Sequence, residues 1–160
     1  MWILWVLVLI ISVIIAITIY RRYGRRLTER QIIASQQIVN KGLTYALGDL
    51  GDALYLNSDK YISSTLVANI WGHEVMAFEF VLPVSGVQEV VVVRQAVNNA
   101  LREYAEKNNL QSASETDMVL LVTDVWYDTR ISELHIDIAH IINQETAAYI
   151  RDLRKLNQPV

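Results

Sequence analysis

The 160 residues contain no cysteine, three histidines and two prolines. Without cysteine there is no disulfide framework, no thiolate metal site and no thiol nucleophile. The six glycines are scattered and build none of the familiar reactive turns. There is no Gly-x-Ser-x-Gly elbow, no glycine loop with a phosphate-binding lysine and no His-Glu-x-x-His helix. Gly48 to Gly51 (Gly-Asp-Leu-Gly) lacks the preceding strand and the remaining glycine of a dinucleotide loop. Basic residues are scarce outside one place. Of 14 Lys and Arg, four are Arg21, Arg22, Arg25 and Arg26, which leaves ten against 17 Asp and Glu, a balance of −7 over residues 28–160. Phosphate backbones are bound by a basic face, so this balance argues against a nucleic-acid partner.

Charge of either sign is also missing from Met1 to Tyr20, the longest such stretch in the chain. Twenty helical residues at about 1.5 Å each match a hydrocarbon core roughly 30 Å thick. Ser12 and Thr18 are the only polar interruptions of WILWVLVLIISVIIAITIY, and helical hydroxyls can bond back to the preceding turn. Trp2 and Trp5 stand at one end, Tyr20 and Tyr23 at the other, as amphipathic rings do at the two headgroup layers. A cleaved signal peptide would carry a basic start and a small-residue cleavage site, neither of which is present. A core helix this apolar would need a much larger protein around it. The sequence therefore predicts a membrane span over 1–20 and a basic segment over 21–27. Basic flanks stay on the cytoplasmic side, so the N-terminus is expected outside and the domain at 28–157 in the cytoplasm. The arginines can also hold anionic headgroups, at about 1 kcal/mol each near the surface.

Beyond the arginines, Thr28 to Leu56 reads as a helix, with Ile32, Ile33, Gln36, Val39, Leu43, Leu47, Leu50 and Leu54 at three- and four-residue steps and Thr28 as a candidate cap. It could also continue unbroken from the span. Gly42, Gly48 and Gly51 mark either a close helix approach or a break. A short helix is expected at about 60–69, and a strand at His73 to Leu82 ended by Pro83. Ser85 and Gln88 have capping-box spacing for a helix from Gly86 to about Asn108. Met118 to Trp126 and Ile131 to Ile141 read as an antiparallel hairpin. In the expected register Trp126 faces Ile131, and Val119, Leu121 and Val125 share a face with Leu134, Ile136 and Ile138. A last helix covers Asn143 to Leu156. After the anchor the order is α-α-β-α-β-β-α, an α+β domain with one three-stranded, mainly antiparallel sheet packed by helices.

The residues that could carry chemistry are few. His135 and Asp137 lie two apart on one strand and share a face, a weak candidate metal or acid–base pair. His140 points the other way by parity, and His73 joins them only if the first strand lies beside the third. The commoner fate of such a face is plain solvation. Glu79 alternates with Phe78 and Phe80 and reads as exposed, while Asp124 and Glu133 are candidate neighbours. Tyr45, Tyr55, Tyr61 and Trp71 are candidates for core packing before interface anchoring. No catalytic residue and no cofactor is expected.

The function expected is that of a single-pass, membrane-anchored accessory or scaffold protein whose cytoplasmic domain binds other proteins. Its partners would be the lipid bilayer and a protein not identified by sequence, a second copy of the chain being one candidate. The alternatives are a tethered component of an envelope or secretion machine on the outer side, or a metal-dependent enzyme using the His135/Asp137 face.

Overall fold

The computed structural model describes residues 2–55, 63–67, 75–112 and 118–156. The chain divides into two units, Met1–Ala34 and Ser35–Val160. Helix α1 runs without interruption over Trp2–Leu50, so of the two readings of the segment from Thr28 the unbroken helix holds, and Thr28 is an interior position, not a cap. In the first unit Ile11, Val13, Ile14, Ile15 and Ile17 are all exposed, between 48% and 57%. The side chains at 3–10, 16 and 18–28 lie outside the described residues. Among the described residues no helix is long and apolar enough to cross a membrane, so the span expected at 1–20 rests on the sequence.

The second unit is an α+β domain on a four-stranded antiparallel sheet. Its strands are β1 (Ser64–Leu66), β2 (Ala77–Pro83), β3 (Leu120–Asp128) and β4 (Glu133–His140), in the order β1-β2-β4-β3. The fourth strand corrects the three expected. Ser64–Leu66 falls within the stretch read as a helix, yet it pairs with β2 from Ser64↔Phe80 to Leu66↔Phe78. Two side chains of α1 hold it there: Gln36 Nε2 donates to the Ser64 carbonyl at 2.6 Å, and Ser64 Oγ donates to Asn40 Oδ1 at 2.7 Å. Three residues are too few for periodicity to reveal a strand.

One face of the sheet is fully closed. Phe78 and Phe80 of β2 and Leu134, Ile136 and Ile138 of β4 have no exposed surface, each stabilising the fold by roughly 1.5–3 kcal/mol. Over them lie Val39 and Leu43 of α1 and Val93, Val97 and Leu101 of α2 (Val90–Lys107), all likewise buried. A Cβ on Gly42 would sit 3.0 Å from Leu120 Cδ1 and 3.2 Å from Leu101 Cδ2. This glycine therefore marks a close approach of α1 to both α2 and the sheet. At Gly51, whose N–H bonds the Leu47 carbonyl at 2.8 Å, the helix has ended.

The expected capping box does not form. Helix α2 starts at Val90, with Glu89 at the cap position making no side-chain bond. Ser85 Oγ donates to the Tyr55 carbonyl at 3.1 Å and Gln88 Nε2 to the Ala53 carbonyl at 3.4 Å. Both side chains thus serve the turn after α1 in place of the helix start, where the Ser85 N–H also bonds the Tyr55 carbonyl at 2.8 Å.

The hairpin register also differs. Trp126 pairs with His135 and Val125 with Ile136, around a turn at 129–132. A bulge between Val122 and Asp124 adds one residue, which turns the strand over. Val122 and Leu120 therefore join Val125 on the closed face, and Leu121 goes to the other. There it packs with Val75, Ala77, Ala139 and Ile141 against Ala147 and Ile150 of α3 (Gln144–Leu156). Asn143 Oδ1 accepts the Thr146 N–H at 2.8 Å, an N-cap that fixes where α3 begins.

Candidate functional site

Helix α3 covers only part of the second sheet face. On the remainder, alternation brings together Glu79 and Val81 from β2, Glu133, His135 and Asp137 from β4, and Asp124 and Trp126 from β3. His135 is the best held: its side chain is 12% exposed, its Nδ1 lies 2.9 Å from Glu79 Oε1 and its Nε2 lies 3.8 Å from Glu133 Oε2. A carboxylate only accepts, so Nδ1 carries the hydrogen toward Glu79. The imidazole stacks on the Trp126 indole with ring centroids 3.7 Å apart and planes 12° apart, and Trp126 itself is 42% exposed.

Asp137 sits in the middle of a row of acids. Its cross-strand neighbours are Glu79 on one side and Asp124 on the other. Burial, then the charges of Glu79 and Asp124, push its carboxyl up to about 6, against a smaller opposing pull from His135. Asp124 has a cation to hand, Arg94 Nη2 at 3.4 Å. Arg94 and Asn98 also occupy the open edge of β3: Arg94 Nη1 donates to the carbonyls of Val122 and Thr123, at 3.3 Å and 2.9 Å, and Asn98 Oδ1 accepts the Val122 N–H at 2.8 Å. An edge strand capped this way is a poor template for a further strand.

His135 and Asp137 share a face, as strand parity implies. Glu79 is not simply exposed, since it is the partner of His135. Asp124 opposes Asp137, and Glu133 opposes Asp128, so the Asp124–Glu133 neighbours expected from the sequence are not formed. His140 lies on the closed face, 3% exposed. Its backbone N–H bonds Met76 O at 2.8 Å, its Nδ1 has no hydrogen-bond partner among the described residues, and burial pulls its pKa down to about 4. His73, Tyr61 and Trp71 lie outside the described residues, as do the side chains of Trp5, Tyr20, Arg21, Arg22, Arg25 and Arg26. Trp2 is exposed. Tyr45 belongs to the α1–α2 contact, 5.7 Å from Tyr104 and bonded to Glu103 Oε1 at 2.7 Å.

Among the described residues no group of three or more His, Asp or Glu is placed to hold a metal ion. Proton transfer between His135 and Glu79 is within the geometry, at 2.9 Å. A cavity of about 380 Å³ lies between the end of α2 and the start of β3, against Arg102, Glu106, Met118 and Leu120. A smaller one of about 100 Å³ lies at the hairpin turn, against Gly86, Tyr127, Ser132 and Glu133, the last of these on the His135 face. Neither includes His135 or Asp137. Compared with protein-family models, with curated proteins and with solved structures, the chain finds no match.

Proposed function

We propose that the chain is a single-pass, membrane-anchored accessory or scaffold protein whose α+β domain faces the cytoplasm and binds other proteins of a membrane-associated assembly. The observation that carries this reading is the run of twenty uncharged residues followed by four arginines within six positions. The exposed aliphatic side chains between Ile11 and Ile17 support it, because so much contiguous apolar surface on a helix calls for lipid or protein to cover it. Confinement to a surface raises the effective concentration of the domain for partners in the same membrane without any new contact. The domain carries its own apolar outer surface at Val87, Val91 and Val92, each at least half exposed, where a protein partner can dock.

Membrane fractionation tests the anchor. The full chain is expected to stay in the pellet through an alkaline carbonate wash and to leave it in detergent. A chain lacking residues 1–20 is expected in the soluble fraction. Release of the full chain by carbonate would overturn the proposal.

A further inference from the structure

Three of the four acids on the polar face stand directly opposite one another on three adjacent strands, Glu79 on β2, Asp137 on β4 and Asp124 on β3. Like charges in directly opposed sheet positions repel. Two of the three have a compensating partner: Glu79 has His135 at 2.9 Å and Asp124 has Arg94 at 3.4 Å. The Asp137 carboxylate has no ion pair and no hydrogen-bond donor among the described residues, only a weaker pull from the His135 charge, and it is half-buried. Helix α3 adds no cation at this point; its Tyr149 is itself affected by the Asp137 charge, which together with burial pushes its phenol up. The groups facing Asp137 are thus Glu79, Asp124, His135 and Tyr149, with Glu133 behind His135.

We infer that Asp137 is a proton-operated latch across β2, β4 and β3. With a proton bound, its carboxyl becomes a donor and hydrogen-bonds the carboxylate of Glu79 or Asp124. Without it, three acids in a row repel and loosen the half of the sheet that α3 leaves uncovered, where Trp126 and Val81 are exposed. The direction follows from linkage. The folded chain binds this proton more tightly than the unfolded chain does, so the stabilisation is present in acid and is lost as pH rises through about 6. His140 acts with the opposite sign, because its burial excludes a proton that the unfolded chain takes up. The latch must therefore be read as a difference between two proteins that both contain His140.

Thermal melts of the full chain in detergent micelles, from pH 4 to 8, provide that difference. Asp137→Asn mimics the protonated acid without titrating. It is expected to melt a few degrees above the parent at pH 7.5, with the gap beginning to close as pH falls below about 6 and gone near pH 4, the ordinary aspartate range of the unfolded chain. A gap that does not change with pH, or a variant that melts below the parent at pH 7.5, would sink the inference. If the variant fails to fold, carbon NMR of the Asp137 carboxyl in the native chain decides: a midpoint near 6 supports the latch, and one in the ordinary aspartate range near 4 overturns it.

Discussion

Residues 11–17 and strand β4 draw on the same aliphatic residues and solve opposite problems. In β4, Leu134, Ile136 and Ile138 alternate with Glu133, His135 and Asp137, and all three aliphatic residues are completely buried. In residues 11–17 the aliphatic residues run together, Ile-Ser-Val-Ile-Ile-Ala-Ile, and five of them are about half exposed on a helix. An alternating strand needs a cover on one face only and has a polar face for water. A helix that is apolar all round has no polar face to offer, and only an apolar surrounding suits it. Composition is shared; spacing decides which medium each segment needs.

Truncation is the most forceful way to break this comparison. Ile138→Ala removes a fully buried side chain between Phe78 and Val122 and is expected to cost about 2–5 kcal/mol of domain stability. Ile14→Ala removes the same atoms from an exposed position and is expected to change the stability of the domain by less than about 0.5 kcal/mol. Urea denaturation of both variants in the same detergent measures the contrast. Equal losses would mean that Ile14 is part of the domain core and that the comparison is false.

Acid titration sharpens the same contrast within β4, whose closed face carries His140 beside its aliphatic residues. The unfolded imidazole takes up a proton below about 6.5, whereas the folded one resists until about 4. Stability is therefore lost as pH falls through this window, by up to about 3 kcal/mol at its lower end. His140→Leu keeps the volume and cannot titrate, so its urea midpoint is expected to fall less than that of the parent between pH 6.5 and 4. Identical acid profiles would show that His140 is not held neutral by the closed face.

How far the fold could be read from the chain follows from the range of the interactions involved. Strands β2, β3 and β4 and helix α3 show in the alternation or helical repeat of their own residues, because each has a face whose burial dictates the pattern. Strand β1 does not, since Ser64 is held by Gln36 and Asn40, more than twenty residues away. Ser85 and Gln88 mislead for the same reason: the carbonyls they bond, of Tyr55 and Ala53, are thirty or more residues earlier. The bulge at Thr123 leaves no sequence mark, yet it reverses which of Leu121 and Val122 faces the closed side. Of the candidate site, the shared face of His135 and Asp137 is legible by parity. Glu79 and Asp124 enter it only through the pairing of β4 with its two neighbours, and Trp126 only through a register four residues from the one the turn suggested.

The central claim is that the uncharged run anchors the chain and the arginines keep the domain on the cytoplasmic side. Protease accessibility on intact cells tests it most directly, with antibody detection of the domain before and after the membrane is opened. The account predicts that the domain is protected in intact cells and digested only after lysis. Digestion from outside in intact cells would contradict it and place the domain on the other face of the membrane.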